Sequence, residues 1–574
     1  MARDRRTVHR NWASAEHLES RLLCSQTPAP PTLFTAAMLE AAAHLGIALP
    51  IRPSSKVTPP PTVHPEPIHH NPKPKPKPKP SHHGGTTPSN NPTPTPKSTV
   101  PSQVTPTPPT PPPTAGFDLN SLFRIVQPMQ HSTAGRTPLF VWGLPMWQGD
   151  ALIAGRQNGT LRQAIDELAA RGIVPTVLVG YPGTDSVADQ LALAQTIADA
   201  GEPVYLVIPQ ANLIKSTAWQ NSTVWATGPD TTQGGKVRNW PVLPLADPTI
   251  GANWVTQQVL PFKQAGINVA GVWYDDEDQP EPFNGIYEAT LNSPQASSYY
   301  PPSVLANFTA FSTYVLNLRG QLTSQILVDP VHALFPNAVV SNFGSAISSA
   351  SAPYQNVAGY VYPPFSAGDQ DALMPSVYSL DVALEDFIQS GQQPTQQLAD
   401  QIYFRQMLNS FSTAAANAQG KPLIPYLTAT ARPNAPAGFN LSMSDAAYRE
   451  LLRQLWLRGA NSMVLFGLGF PSVTADQTAA YQQIEDARGV YDEMLAFQPF
   501  LDHGTVMNLA GPTSSGIVWS GLQYGSQALI RTYSMTGQDQ RITIHAFGID
   551  FSVLAPTQGA TFIIGQDGSV NRVG

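Results

Sequence analysis

An uninterrupted run of acidic residues follows an apolar segment near the middle of the chain. The sequence INVAGVWY leads directly into Asp275, Asp276, Glu277 and Asp278. Side chains two residues apart in an extended chain point to the same side, so Asp275 pairs with Glu277, and Asp276 falls on the side of Tyr274. The charge of Asp275 would keep Glu277 protonated and ready to donate a proton to a glycosidic oxygen. We therefore predict acid catalysis of glycosidic bond cleavage, with a cation site or a solvated acidic turn as the alternatives.

A second carboxylate on a neighbouring strand is the usual partner of such a proton donor in glycosidases. The other predicted strand ends offer few acids: Asp185 lies some way beyond its strand, and Asp381 stands three residues after Tyr378. This shortage favours a mechanism in which an N-acetyl group of the substrate acts as the nucleophile. A two-carboxylate mechanism that uses Asp381 is the alternative.

A sugar site also needs aromatic platforms and amide donors, and residues of both types lie at or near the predicted strand ends. Taken singly, such residues are more often buried in a barrel core than in contact with a ligand. Taken together, they indicate a sugar site. The substrate-binding candidates are Trp142, Trp147, Tyr181, Gln210, Asn212, Tyr274, Phe343 and Phe466, with Trp273 and Asn342 as further candidates.

Short apolar runs that alternate with amphipathic stretches must position these side chains. The predicted strands are 138–144, 174–179, 204–208, 269–274, 338–342, 374–378, 423–427 and 462–467, and the predicted helices include 160–171, 187–200, 302–325, 396–418 and 444–458. Eight strands with helical crossovers predict an α/β fold, a (β/α)8 barrel over 116–499, in which reactive groups project from the carboxyl ends of strands. An open doubly wound sheet is the alternative. The segment GLPMWQGD after the first strand carries no glycine-rich phosphate-binding pattern, so we expect no nucleotide cofactor, no other cofactor and no metal.

The pattern changes again beyond Phe500, where helical periodicity stops. The runs GIVWSGLQYG, ALIRTYSM, RITIHAFGI and ATFIIG are separated by Gly, Pro, Asp and Asn. Apolar runs of this length between turn residues are typical of strands. We predict a small all-β sandwich over 500–574 that is accessory to the barrel.

Proline dominates the segment that precedes the barrel. Residues 52–115 contain Lys-Pro and Thr-Pro repeats, which predict a disordered and extended polyproline linker. Its lysines could contact anionic wall polymers, and His69, His70, His82 and His83 could bind a metal. A plain linker explains the composition better, because such a sequence merely avoids collapse.

Residues 1–51 carry a short motif with a meaning for export. The segment LESRLL, from Leu18 to Leu23, follows spaced arginines and resembles the LE-x-R-x-LL element of exported and surface proteins of certain bacteria. Cys24 stands where that element has a final leucine. The resemblance implies a secreted or cell-surface bacterial protein, with association to the cell envelope through this N-terminal region.

Charge and cysteine content exclude several function classes. The net charge is −7 with 12% charged residues, and no stretch is rich in both aromatic residues and arginine, which argues against a nucleic-acid partner. Cys24 is the only cysteine, so disulfides, zinc clusters and a cysteine nucleophile are excluded from the folded part. No apolar run reaches the length of about 18 residues that a membrane span requires.

The order of several motifs resembles that of the hyaluronidase family of glycoside hydrolases. These motifs are PLFVWGLPMWQ, IPQANL, GVWYDDEDQP, AVVSNFG, ALMPSVYSL, PLIPYL and GANSMVLFG. The resemblance implies that Glu277 is the proton donor, that Asp275 orients the substrate acetamido group and that Tyr378 lines the same subsite. Anchoring the motif on Pro280 would instead place Tyr274 and Asp276 at the catalytic positions, and both registers stay open.

Three features depart from the family pattern. Phe466 replaces the tryptophan of the closing strand, Phe343 replaces the tyrosine expected after the fifth strand, and the disulfides of the family are absent. The resemblance therefore implies either a substrate other than hyaluronan or a loss of activity. We predict a secreted glycoside hydrolase that cleaves an extracellular polysaccharide by substrate-assisted acid catalysis. A non-catalytic carbohydrate-binding surface protein on the same barrel, and a structural surface protein without a ligand, are the alternatives.

Overall fold

A computed structural model describes residues 119–574 except 134, 142–159, 181–185, 210–212, 215–216, 218–223, 231–235, 276–283, 348–368, 379–394, 430–440, 467–476 and 514–515. The N-terminal segment with its LESRLL motif and the proline-rich linker therefore lie outside the described residues. The strands of the first part are β1 (Phe140–Val141), β2 (Thr176–Leu178), β3 (Val204–Ile208), β4 (Trp225–Asp230), β5 (Lys236–Pro241), β6 (Val269–Tyr274), β7 (Val339–Asn342), β8 (Ser376–Tyr378), β9 (Tyr426–Thr428) and β10 (Val464–Leu465).

Eight of these strands close into a parallel barrel. Strands β2, β3, β6 and β7 pair in that order, and β8, β9, β10 and β1 pair in that order, with every pairing parallel. Parallel bridges join the two halves, from Leu139 to Ile173 at one seam and from Phe343 to Met374 at the other. The structure thus confirms the (β/α)8 barrel, and all eight predicted strands are present.

The helices are α1 (Leu119–Ile125), α2 (Leu161–Ala169), α3 (Val187–Asp199), α4 (Pro248–Gln264), α5 (Asn284–Leu291), α6 (Pro294–Ser297), α7 (Pro302–Leu305), α8 (Phe308–Thr323), α9 (Asp329–Leu334), α10 (Gln396–Ala416), α11 (Asp445–Trp456), α12 (Gln477–Leu495) and α13 (Gln498–His503). Local capping fixes several starts. Thr160 and Gln163 form a reciprocal capping box on α2, and the Ser444 side chain accepts from the backbone of Ala447 on α11.

The single helix predicted over 302–325 is interrupted in the structure. Helix α7 ends at Leu305, and the Asn307 side chain then accepts from the backbone of Ala310 to start α8. A π-helical turn from Ser324 to Val328 leads on into α9. The periodicity of the apolar residues continues through the break, and asparagine favours the extended backbone of a helix start, so the cap determines the boundary.

An excursion that the sequence pattern did not reveal separates β3 from the following helices. Strands β4 and β5 form an antiparallel hairpin, and α5 packs on β4. A cluster of its own, apart from the main core, includes Val224, Trp240, Ala289 and Phe311. Gly228 allows this approach, because a Cβ there would lie 2.8 Å from the Cβ of Ala289.

The C-terminal part is all-β, as predicted, although α13 carries helix to His503, a little beyond the expected end at Phe500. Its strands are β11 (Thr505–Val506), β12 (Ile517–Tyr524), β13 (Gln527–Ser534), β14 (Gln540–Ala546), β15 (Ile549–Ala555), β16 (Ala560–Gly565) and β17 (Val570–Arg572). A five-stranded antiparallel sheet has the order β11-β12-β13-β16-β17, and β14 and β15 form a separate hairpin. Between the two lies a small apolar core that includes Ile530, Ile544, Phe551 and Phe562.

Two buried arginines join this domain to the barrel helices. Arg458 follows α11 and donates to the Ser520 hydroxyl at 2.7 Å and to the carbonyl oxygen of Ala510 at 2.9 Å. Arg531 on β13 forms an ion pair with Glu450 on α11, with 2.6 Å between Nη2 and Oε2. The C-terminal β domain is therefore docked on the barrel through polar as well as apolar contacts.

Candidate active site

Strand alternation determines which residues face the barrel interior. Trp273 on β6 stacks on Tyr205 of β3, with ring centroids 5.3 Å apart, and meets Phe140 of β1 edge-on at 5.6 Å. These rings come from three strands and can meet only inside the barrel. Gly271 makes room for them, because a Cβ at this position would lie 2.7 Å from the Tyr205 ring. Residues 271, 273 and 275 of this strand therefore share the inner face.

Asp275 occupies the carboxyl end of β6 on this inner face. Its backbone N–H donates to the carbonyl oxygen of Ile208 at 3.1 Å, so pairing with β3 continues beyond Tyr274. The residue is only 9% exposed. A carboxylate this buried, at the carboxyl end of a barrel strand, lies where enzymes of this fold place reactive groups.

An aromatic group lines the interior beside Asp275, with Tyr426 on β9, Phe343 directly after β7 and Phe466 directly after β10. Tyr426 on β9 meets Phe343 edge-on at 4.9 Å, and Phe343 stacks on Phe466 at 6.2 Å. Burial raises the pKa of the Tyr426 hydroxyl well above its ordinary value, and the negative charge of Asp275 raises it further. The Tyr426 hydroxyl therefore stays protonated over the physiological pH range and can donate a hydrogen bond.

Tyr274 lies on the opposite side of β6 from these residues. Its hydroxyl donates to the carbonyl oxygen of Leu327, in the π-helical turn, at 2.9 Å, and the side chain is 1% exposed. Burial raises the pKa of this hydroxyl well above its ordinary value. Tyr274 thus contacts the helix layer, which corrects its assignment as a substrate-binding residue. This orientation also argues against the register that would make Tyr274 and Asp276 the catalytic pair.

The loop that follows β7 is held by hydrogen bonds around the site. The Ser341 hydroxyl donates to the carbonyl oxygen of Ala372 at 2.7 Å, and the Ser345 hydroxyl accepts from the Met374 backbone at 2.9 Å. The Asn342 side chain donates to the carbonyl oxygen of Phe343 at 3.0 Å. These contacts connect β7 to the start of β8 and hold Phe343 in place.

Most of the remaining predicted site residues lie outside the described residues. These are Glu277, Asp276, Trp142, Trp147, Tyr181, Gln210, Asn212 and the alternative partner Asp381. Tyr378 ends β8, where its backbone pairs with Thr428 of β9. Of the sequence candidates, the structure brings Asp275, Phe343 and Phe466 together. Within the described part of the chain, no three acidic, histidine or cysteine side chains come close enough to bind a metal ion.

Tyr426 is the site residue that sequence analysis missed. It lies in IPYLTAT, where strand alternation alone gives no sign of which face points inward. The pairing of Ser376 with Tyr426, and of Tyr426 with Val464, determines its orientation. The sequence does place Tyr426 on the seventh barrel strand, close to its carboxyl end at Thr428. That position was the one sign in the sequence that this tyrosine could belong to the site.

No protein-family model and no curated protein matches this chain. Solved structures with some similarity include alpha-L-fucosidase isoenzyme 2 from Paenibacillus thiaminolyticus, at 13% identity and a TM-score of 0.34 over 60% of this chain. The match takes in 48% of the fucosidase chain, about half its length. The isomaltulose synthase SmuA from Protaminobacter rubrum matches at 10% identity and a TM-score of 0.40, over 78% of this chain and all of its own. The trehalulose synthase MutB from Pseudomonas mesoacidophila MX-45 matches at 10% identity and a TM-score of 0.39, over 72% of this chain and 93% of its own. Similarity at this level does not assign an activity to this chain.

One further observation concerns the helices. Among those that the structure describes, none is both long and apolar enough to cross a membrane.

Proposed function

We propose that this chain is a secreted glycoside hydrolase that cleaves an extracellular polysaccharide at the carboxyl end of its barrel. The observation that carries the proposal is Asp275, a buried carboxylate on the inner face of a strand end, beside the aromatic group of Tyr426, Phe343 and Phe466. A carboxylate beside an aromatic surface is suited to bind a sugar. The aromatic rings stack on the apolar face of the sugar, and the carboxylate oxygens accept hydrogen bonds from its hydroxyl or amide groups.

The proposed mechanism uses the substrate as its own nucleophile. Glu277 donates a proton to the glycosidic oxygen while the bond from that oxygen to the anomeric carbon breaks. The carbonyl oxygen of the neighbouring N-acetyl group forms the new bond to the anomeric carbon. Asp275 accepts a hydrogen bond from the N–H of that group and stabilises the positive charge that develops on it. Water then attacks the anomeric carbon and gives one proton to the Glu277 carboxylate. The bond between the anomeric carbon and the acetyl oxygen breaks in this step, which restores the N-acetyl group.

The aromatic group of Tyr426, Phe343 and Phe466 limits the type of sugar that the site can bind. Phe343 and Phe466 stack on each other and offer apolar edges without hydroxyl groups. Tyr426 contributes a hydroxyl that remains protonated because of burial and of Asp275. We infer a substrate that presents an apolar sugar face to the phenylalanines and an N-acetylhexosamine to Asp275, distinct from hyaluronan.

Our first prediction concerns the two carboxyl groups. The full chain is incubated with a panel of N-acetylated and unmodified polysaccharides, and new reducing ends are measured. We expect Glu277→Gln and Asp275→Asn each to lower the rate by about 100-fold or more, since general acid catalysis alone contributes factors of this size. Asp550→Asn is the matched control, because Asp550 is exposed on the β domain, and its rate should equal that of the wild type.

Four outcomes would contradict this assignment. Cleavage that survives Glu277→Gln would remove Glu277 as the acid, and loss on Asp276→Asn alone would select the other register. Loss on Asp381→Asn would favour the two-carboxylate mechanism. Binding of a polysaccharide without any cleavage would make the chain a carbohydrate-binding surface protein instead.

A further inference from the structure

A second cleft lies far along the chain from Asp275, where the barrel meets the β domain. It encloses about 260 Å³ between helix α10 and the end of strand β13. The residues around it carry aromatic rings, amides, hydroxyls and one carboxylate, together with the thioether of Met535 and the backbone of Gly537. The main ones are Gln397, Asp400, Gln401, Phe404, Tyr533 and Thr557.

The aromatic side of the cleft is fixed by packing across the domain boundary. Phe404 of α10 and Tyr533 of β13 have ring centroids 5.2 Å apart. Phe404 is buried, whereas Tyr533 is half-buried, so part of the tyrosine ring faces the cleft. No group in the described part of the chain forms a hydrogen bond with the Tyr533 hydroxyl. The tyrosine thus offers both a ring face and an unused hydroxyl.

The polar side of the cleft is also held in place. Gln401 lines the cleft and donates from its amide to the carbonyl oxygen of Met535 at 2.8 Å. Asp400 accepts from the backbone and the hydroxyl of Ser444 at 2.8 and 2.7 Å, and from Gln396 at 2.9 Å. Because these groups are positioned by the fold itself, a ligand would not need to order them on binding.

We infer that this cleft binds one neutral pyranose ring, as the terminal sugar of a polysaccharide chain. A ring face for stacking beside amide, hydroxyl and carboxylate groups is the combination that recognises an uncharged polyol. The volume lies just below the lower end, about 300 Å³, of pockets that enclose drug-sized ligands, so it suits one ring and not several. The inference does not depend on hydrolysis at Asp275, because it concerns binding at a separate place.

The charges around the cleft determine which sugars it can bind. Asp400 is the charged residue that lines the cleft, and the nearby Glu450 is already paired with Arg531. Burial raises the pKa of Tyr533 to about 12, and the charges of Glu450 and Asp400 add to this effect. The negative charge of Asp400 opposes a carboxylated sugar such as a uronate.

Our second prediction tests the cleft with sugars that lack the N-acetyl group on which the proposed hydrolysis depends. Binding of methyl glucoside, glucuronate and cellotetraose to the full chain is measured by ligand-observed NMR and calorimetry. We expect methyl glucoside to bind with a Kd on the order of 1–10 mM, as its few atoms allow. Glucuronate should bind about tenfold more weakly because of Asp400. Cellotetraose should bind within about threefold of methyl glucoside, because one ring fills the cleft.

Variants then locate the binding. Tyr533→Phe combined with Gln397→Ala should weaken methyl glucoside binding about tenfold, the effect of losing two hydrogen-bonding groups. Tyr524→Phe combined with Gln566→Ala makes the same chemical changes at exposed positions of the β domain and should have no effect. Asp275→Asn should also leave this binding unchanged. Both double variants should have the same unfolding midpoint as the wild type, which shows that loss of binding does not come from loss of stability.

The inference is overturned by any of four results. They are undetectable binding of methyl glucoside, loss of binding on Asp275→Asn, unchanged binding in the Tyr533 and Gln397 variant, and glucuronate binding as tight as that of methyl glucoside. Failure of the hydrolysis assay would leave all of these measurements intact, so the two proposals can be judged separately.

Discussion

At the scale of single residues, the aromatic layer below the candidate site can form only because residue 271 is a glycine without a side chain. The rings of Tyr205, Trp273 and Phe140 fill the barrel below Asp275, and Gly271 lies beneath the Tyr205 ring. A side chain at 271 would compete with this ring for the same space. Gly271 and Trp273 belong to the same strand as Asp275, so crowding at the Tyr205 ring would also displace Asp275.

Our third prediction follows from this crowding. The Cβ of Gly271→Ala would lie 2.7 Å from the Tyr205 ring and 2.9 Å from the carbonyl oxygen of Val339, so the barrel must deform. We expect a loss of about 1–3 kcal/mol in the free energy of unfolding, the usual effect of overpacking. Urea unfolding measures it. Gly489→Ala, in helix α12 with open space around its Cβ, is the control and should stabilise by about 0.5–1 kcal/mol.

At the scale of elements, the contact between helices α11 and α12 buries a carboxyl group, Asp486, and burial disfavours its ionised form. Asp486 is 2% exposed and accepts from Arg449 at 3.1 Å and from Gln482 at 3.2 Å. Burial is the main cause that raises its pKa to about 6, and the charges of Asp445 and Glu485 add to it. Gln482 and Arg449 lower the pKa but do not compensate for the burial.

Our fourth prediction is the pH dependence that results. Because the pKa is higher in the folded chain, the stabilisation from Asp486 is complete below its unfolded value of 3.8 and is lost as pH rises through about 6. The wild type should therefore lose about 1–2 kcal/mol relative to Asp486→Asn between pH 4 and pH 7.5, after allowance for screening by solvent at Arg449. Urea unfolding across this pH range measures the difference.

A second carboxylate checks that the measurement isolates Asp486. Backbone donors at Gln130 and His131 hold the pKa of Asp492 below its ordinary value, although partial burial acts against them. Its contribution is therefore lost as pH falls, in the opposite sense, and it is common to both proteins. Asp166→Asn, at an exposed position of α2, should run parallel to the wild type. A constant difference between wild type and Asp486→Asn would refute the prediction.

At the scale of the whole molecule, buried polar contacts connect the β domain to the barrel. Arg458 is fully buried, and its partners in the described part of the chain are hydroxyl and carbonyl oxygens. Burial lowers its pKa to about 9. The Glu450–Arg531 pair is likewise buried, with both side chains under a tenth exposed. Separating the two domains would leave these charged groups without their partners and would expose apolar surface. We therefore expect the barrel and the β domain to unfold together.

Our fifth prediction is a double-mutant cycle on this pair. Glu450→Ala alone and Arg531→Ala alone should each cost about 3–5 kcal/mol, since each leaves a buried charge without its partner. The double variant should be destabilised by clearly less than the sum of the two. The exposed pair Arg162–Asp166 on α2 is the control, where the coupling energy should be about 0.5 kcal/mol or less. Additive losses at Glu450 and Arg531 would contradict the expectation that the pair connects the domains.

The sequence by itself determined the order of the eight barrel strands and the change to an all-β C-terminal part. Apolar runs with helical crossovers placed all eight barrel strands, and Val204–Ile208 and Val269–Tyr274 have the predicted bounds. The acidic run after β6 marked the strand end where Asp275 lies. Such features depend on neighbours along the chain, which is why local periodicity reveals them.

The tertiary structure alone decided which faces meet. Pairing between strands turned Asp275 and Tyr426 inward and Tyr274 toward Leu327, because a side chain's direction in a closed barrel depends on its partners as well as on its own strand. The hairpin of β4 and β5 and the cleft at Tyr533 depend on contacts between segments far apart in sequence. Periodicity holds no information about such contacts, so only the folded chain reveals the aromatic group beside Asp275.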